Sequence, residues 1–418
     1  MSIIATHANL QSRSILHYWF QLTRSPNRDF MKLADYLTIK DLAILDSAIS
    51  ELSLRHLYSL QLRDYYSKHV IVINGYPPYT TPTLQYTKQL EWIVARKLDT
   101  CIEKLSLLDR VDFDGSDRLE IHFTNLQEIE STYANKSLIQ NIAWNCPNLT
   151  SFSSDTAFEI DDEGMDLLCQ GCPKLKTITL SGRTGAALQD LSKLTFKAIT
   201  TYCTTLEELT LTPLSHISNT GLSYLSNIHS LKKFVLNGSL CEGLVVGYDT
   251  RPMIRSNHGL VQLKLHCLNM SHTDIFECVG ENCPLLKHID MYERSWVGIT
   301  DESVRIMTLG CPLLESIQIG TDETVSHDFE GHFHNYNDYP TVYLSNKTFF
   351  AIADNCKHFK YINIDSNDMV TFDYIGYNAL IYYSVNNLRA IYKGYECCYK
   401  APDFDVNEVD SYIPCYKY

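Results

Sequence analysis

The chain has 418 residues, is 45% hydrophobic, and carries 49 acidic against 35 basic side chains for a formal net charge of −14. That balance argues against nucleic acid and anionic membrane as main partners, because both repel a strongly acidic surface, and a basic or amphipathic protein target is expected instead. No apolar run approaches the roughly 20 residues of a membrane-crossing helix, and the opening MSIIATHANLQSRS lacks the basic-then-apolar form of a secretory signal, so a cytoplasmic or nuclear location is expected.

Residues 1–92 form a first segment without internal repetition. Apolar side chains at Phe30, Met31, Leu33 and Ala34 predict a short helix up to Tyr36. A break follows at Thr38, and a second helix starts at Lys40 with Leu42, Leu45 and Ile49 at helical spacing.

Residues 93–394 then repeat one phrase. A helical stretch ends in cysteine, often Cys-Pro, and Leu-x-x-Leu-x-Leu follows. The best copies are NCPNLTSF from Asn145, GCPKLKTITL from Gly171, YCTTLEELTL from Tyr202, NCPLLKHIDM from Asn282 and GCPLLESIQI from Gly310. The first leucine falls at Leu149, Leu175, Leu206, Leu231, Leu260, Leu286 and Leu314, and a spacing of 25 to 31 residues predicts a solenoid. Within a copy, Ile178 and Leu180 alternate with Thr177 and Thr179, the period of a half-buried strand. About twelve residues before each cysteine an apolar residue precedes a capping type, as in Ile160-Asp161, Leu191-Ser192, Ile299-Thr300 and Leu344-Ser345, and this predicts a helix start. Each unit is therefore one strand and one short helix, and the N-terminal helices would cover the exposed first unit.

Three stretches break the period: 182–190, and two longer insertions at 237–256 and 320–343. Each follows a predicted strand, which places all three on one rim, where insertions often serve binding. Strand positions predicted to point away from the core are Lys233, Val235, Gln262, Lys264, His288, Asp290, Ser316, Gln318, Tyr361 and Asn363. Just beyond one strand comes Tyr292-Glu293-Arg294-Ser295-Trp296. Tyrosine, arginine and tryptophan dominate binding hot spots because each buries a large area while keeping a polar handle. The partner-binding set read from these features is Lys264, His266, His288, Asp290, Tyr292, Arg294, Trp296 and Tyr361. Residues 395–418 form a tyrosine-rich tail that would either fold back over the strand face or cap the last unit.

Of the 14 cysteines, Cys146, Cys172, Cys203, Cys283, Cys311 and Cys356 share one position in the repeat, where a small buried hydrophobe fits a helix end. They are expected to be free thiols, neither bridged nor metal-bound. No phosphate loop, nucleophile elbow or zinc-protease helix occurs, so no catalytic residue, metal site or cofactor is expected. His327, His332 and His334 cluster in the insertion at 320–343, whose composition is that of a loop.

These phrases resemble the cysteine-containing leucine-rich repeat, best matched from Ile299-Thr300-Asp301 to Ile319. The resemblance implies an α/β solenoid, a horseshoe with parallel strands on its concave side and helices on its convex side. Tyr36-Leu37-Thr38-Ile39-Lys40-Asp41-Leu42 further resembles the core of an F-box, a helical motif that precedes such repeats in F-box/LRR proteins. The Leu-Pro pair that opens that motif is absent. The resemblance implies a Skp-family adaptor and a cullin complex as partners, with Leu37, Ile39, Asp41, Leu42 and Leu45 as the adaptor-binding residues. It implies a non-enzymatic substrate-recognition subunit of an SCF-type ubiquitin ligase; the alternative is a leucine-rich-repeat scaffold, unrelated to ubiquitin, whose N-terminal helices only cap the array.

Overall fold

The computed structural model describes residues 42–43, 52–74, 92–108, 123–157, 160–182, 191–214, 219–238, 249–266, 274–292, 299–320, 344–365, 390–393 and 396–400. They fall into two units, one of residues 1–156 with 167–175 and the other of 157–166 with 176–418.

Helices begin where the sequence places capping side chains. Ser192, Thr300 and Ser345 each sit in extended backbone at a helix N-cap and accept an N–H of the first turn, and Thr300 and Ser303 form a reciprocal capping box. Asp161 likewise accepts from Gly164 N–H at 2.7 Å. Six of the described helices end at a cysteine whose own N–H closes the last turn, as Cys311 does onto the Met307 carbonyl at 2.9 Å.

In the first unit, α1 (Leu52–Tyr66) precedes β1 (Val70–Asn74), β2 (Lys104–Leu108), β3 (Glu128–Ser131), α2 (Lys136–Asn145) and β4 (Ser151–Ser154). The strands pair in parallel and in sequence order, with Ile71 beside Leu105, then Ile129, then Phe152. All four are buried. Helix α3 (Asp162–Gly171) contributes residues to both units.

The second unit continues the alternation through β5 (Thr177–Ser181), α4 (Lys193–Tyr202), β6 (Glu208–Leu214), α5 (Asn219–Tyr224) and β7 (Lys233–Gly238). There follow α6 (Arg251–Ser256), β8 (Gln262–His266), α7 (Ile275–Asn282), β9 (His288–Tyr292), α8 (Asp301–Gly310), β10 (Ser316–Gly320), α9 (Asn346–Asn355) and β11 (Tyr361–Asp365). Strands β12 (Ala390–Lys393) and β13 (Glu396–Lys400) complete it. From β5 to β12 every pairing is parallel and sequential, and from β5 to β11 a described helix stands between each strand and the next, as a crossover between parallel neighbours requires. Strand β13 runs antiparallel on β12, so the start of the tail extends the last strand. The stretch expected as an insertion from 237 to 256 contains the end of β7 and all of α6. Residues 321–343 and 401–418 lie outside the described residues.

A continuous apolar ladder holds the second unit together. Ile178, Leu209, Phe234, Leu263, Ile289, Ile317 and Ile362 are register partners in successive strands, and each is at most 1% exposed. Complete burial of such side chains contributes about 1.5–3 kcal/mol each. Each rung is buried only because a neighbour covers it.

Polar side chains tie one repeat to the next. Asp162, the first residue of α3, accepts from Ser192 N–H and Thr195 N–H at the start of α4, and Asp301 accepts from Ser345 N–H and the Thr348 hydroxyl at the start of α9. A carboxylate at one helix start therefore caps the following one. The Cys172 thiol points at the Cys146 carbonyl oxygen (3.3 Å), Cys311 at that of Cys283 (3.2 Å) and Cys356 at that of Cys311 (3.7 Å). In two repeats Ile228 and Asn257 occupy the cysteine position, and Asn257, fully buried, accepts from Leu231 N–H and donates to the Met253 carbonyl.

The nine described cysteines are free thiols, and Cys101 is the only one of these nine that is partly exposed. Burial pushes the Cys311 and Cys356 thiols up to about 12 and raises Cys146 and Cys283 as well, so the reactive thiolate is scarce. Iodoacetamide applied to the native protein should label Cys101 ahead of Cys146, Cys172, Cys203, Cys283, Cys311 and Cys356, which should react only after unfolding. Rapid native labelling of Cys311, read by peptide mass spectrometry, would contradict the packing described here.

Candidate functional site on the outward face of β8 to β11

Because side chains alternate along a strand, the residues between the apolar rungs form polar rows on the opposite face of the sheet. One row runs Lys233, Gln262, His288, Ser316 and Tyr361, and the next runs Val235, Lys264, Asp290, Gln318 and Asn363. A third begins with Asn237, His266, Tyr292, Gly320 and Asp365. The outward positions predicted from sequence thus share one face, and the register makes neighbours of residues 26 to 45 apart in the chain.

Burial deepens along this face. Thr179, Thr210 and Val235 are half-buried, whereas Lys264, Asp290, Gln318 and Asn363 are 7%, 5%, 9% and 8% exposed. A buried charge is costly unless paired. Here Lys264 Nζ lies 3.0 Å from Asp290 Oδ2 and His266 Nε2 lies 2.9 Å from Asp290 Oδ1. Burial alone would raise the Asp290 carboxyl, but His266 and Lys264 outweigh it and hold the group below the usual carboxylate range. Beside them, His288 Nδ1 shares a hydrogen bond with Ser316 Oγ at 2.9 Å. Burial pushes the His288 imidazole down and so favours the neutral ring, against the opposing pull of Glu315. Glu315 in turn bridges Lys360 (2.5 Å) and Lys287 (3.0 Å) at the residue before each strand.

Of the partner-binding residues read from sequence, the fold brings together Lys264, His266, His288, Asp290 and Tyr361. Tyr292 closes β9 and pairs in register with His266 and Gly320. Arg294 and Trp296 lie outside the described residues, as do Leu37, Ile39, Asp41 and Leu45 of the adaptor-binding set. Leu42 is described and is 2% exposed, and its carbonyl accepts from the Tyr58 hydroxyl of α1 at 2.7 Å. The sequence reading placed Lys264 and Asp290 on an open recognition face, but the structure buries both as an ion pair. Gln318 and Asn363 complete the buried row, and their place in the strand alternation was the signal for them. Among the described residues no group of three or more His, Cys, Asp or Glu side chains could hold a metal ion.

The geometry makes this face a hydrogen-bonding surface whose charges are already compensated. Register-paired parallel strands, intervening helices and cysteine-ended units define an α/β solenoid of leucine-rich-repeat-like units. No family model and no curated protein matches the chain. Among solved structures it is similar to a chain in the crystal structure of the Rad7 and Elc1 complex in yeast, at 15% identity over 64% of this chain and 69% of that one, with a TM-score of 0.41. No helix among the described residues is long and apolar enough to cross a membrane.

Proposed function

We propose that this chain is a non-catalytic protein-recognition solenoid, cytoplasmic or nuclear, serving as the substrate-recognition subunit of an SCF-type ubiquitin ligase. The contiguous polar face of β8 to β11 carries the recognition part of this reading. It sets imidazole, phenol, amide and ammonium groups side by side on a rigid sheet, as selective protein binding requires. The link to ubiquitin rests on the F-box-like Tyr36 to Leu42 stretch that precedes the repeats. In this reading the N-terminal helices dock a Skp-family adaptor and a cullin complex, and the strand face holds a protein substrate for ubiquitin-dependent degradation.

The experiment is capture of the full chain from cell extract, scored for adaptor and cullin, with the double variant Leu37→Ser/Leu45→Ser as control. We expect the variant to lose the adaptor and to unfold at the wild-type temperature. Leu42→Ser is unsuitable because Leu42 is buried beside Tyr58, and its exchange should unfold the segment. That same burial favours a second reading, a scaffold unrelated to ubiquitin whose N-terminal helices only cap the repeats. A wild-type chain that captures no adaptor, or a double variant that loses stability together with binding, would establish the cap.

A further inference from the structure

Strand β1 (Val70–Asn74) opens the sheet, and among the described residues it pairs with β2 alone. The neighbouring pairs show which of its backbone groups face away from β2. The carbonyls of Glu103 and Leu107 accept from the N–H groups of Glu128 and Thr132, and those of Gln127 and Ser131 accept from Ser151 and Asp155. Positions in phase with the buried rungs therefore bond the strand that follows, and the outward positions bond the strand before. By that phase Ile71 and Ile73 serve β2, whereas Val70, Val72 and Asn74 direct their N–H and C=O groups to an edge that no earlier strand fills. The edge is open to solvent: Val70 and Val72 are 52% and 42% exposed.

Unpaired strand groups are a template for another chain, and proteins blunt such edges with charges, proline or a bulge. Val70-Ile71-Val72-Ile73-Asn74 has neither charge nor proline, and its register with β2 runs through five consecutive pairs without a shift. The last strand, β13, by contrast includes Glu396 and Lys400 and pairs with a register shift.

We propose that β1 is a homodimer interface, in which the β1 strands of two copies of this chain pair antiparallel about a two-fold axis through Val72. The strand itself selects this occupant. With Val72 opposite its own copy, the edge-facing Val70, Val72 and Asn74 oppose Asn74, Val72 and Val70, so each edge N–H meets a C=O. Ile71 then opposes Ile73 on the buried side. On the outward side the valines of both copies form one apolar strip, and β-branched cross-strand pairs of this kind stabilise a sheet. No like charges meet along the strand, although each copy carries a net −14. A two-fold contact uses the same patch on both copies and closes at the dimer. The inference uses the first unit alone and stands apart from the ubiquitin reading.

The test is sedimentation equilibrium of the full chain across a wide concentration range, wild type against Val72→Lys. We expect a monomer–dimer equilibrium that Val72→Lys weakens at least tenfold, because it sets two like charges directly opposite each other on the axis. Since Val72 is half exposed in a single copy, the variant should melt at the wild-type temperature in dilute solution. Mild oxidation supplies an independent readout. Val72→Cys should cross-link two copies, because facing Cα atoms of a hydrogen-bonded antiparallel pair stand about 5.5 Å apart, a separation a disulfide spans. Val70→Cys should not, because its two copies would lie about 14 Å apart. A wild-type chain that stays monomeric at every concentration overturns the proposal, whether another segment of the chain or a different partner takes the edge. A dimer indifferent to Val72→Lys, or cross-linking at Val70 equal to that at Val72, overturns it as well.

Discussion

Gly310→Ala is expected to destabilise the second unit by about 2–4 kcal/mol, by overpacking where no side chain can yield. Gly310 ends α8 against Gly280 of α7, and a Cβ built on it would overlap the Gly280 carbonyl oxygen. Gly280 is confined as well, since a Cβ there would lie 2.6 Å from the Ile306 carbonyl oxygen and 2.7 Å from Met307 Cα. The obstacles are main-chain atoms, so relief requires the two helices to separate, and the buried Val279 and Met307 beside them would lose contact. Gly259 supplies the control, because a Cβ there would meet only the Leu231 carbonyl oxygen at 3.8 Å. Urea denaturation of both variants should show a large loss for Gly310→Ala and little change for Gly259→Ala. Equal midpoints would mean that the α7 and α8 helices do not pack as closely as described.

Asp290→Ala is expected to cost about 3–5 kcal/mol, because it leaves Lys264 buried without a counterion. Lys264 and Asp290 side chains are 8% and 7% exposed, so solvent screens the pair little. The double exchange Lys264→Met/Asp290→Leu should recover most of the loss, since apolar side chains of similar volume replace a buried pair at little cost. A double variant as unstable as Asp290→Ala would refute this account. The pH dependence follows from the same groups. The fold favours ionised Asp290, so its contribution is present above the unfolded carboxylate range, near pH 3.9, and is lost as pH falls through the lower folded value. The fold favours neutral His288, so that contribution is present above about pH 6.5 and is lost as pH falls through the depressed folded value. Acidification from neutrality should therefore lower stability in two stages, with His288→Gln flattening the first and Asp290→Asn the second. A single stage that survives both exchanges would show that other groups govern the acid response.

The repeat was legible because its signals are local. Leu286, Ile289 and Met291 lie within one short phrase, and alternation alone assigns them to the core and His288 and Asp290 to the other face. Cysteine positions followed from the same phase, because a helix end followed by Leu-x-x-Leu-x-Leu leaves room for a small apolar group. Helix starts at Thr300 and Ser345 followed from capping chemistry that acts within one turn. None of these inferences needs a contact between distant residues.

Other features depend on which residues the register sets side by side. The sequence places Lys264, Asp290, Gln318 and Asn363 on one face but does not show that the lysine meets the aspartate, because each lies in a different repeat. Parallel pairing of β8 with β9 makes them neighbours, and burial turns an outward lysine into half of an ion pair. The Asp301 cap on α9 bridges 44 residues to Ser345, and the contact of Gly310 with Gly280 crosses between two helices. The sequence determined by itself the repeat phase, the strand and helix of each unit and the two faces of the sheet, because hydrophobic alternation and capping act over a few residues. Only the tertiary structure decided which charges are buried, which helix starts share a carboxylate and where a methyl group has no room, because those outcomes depend on the stacking of one repeat upon the next.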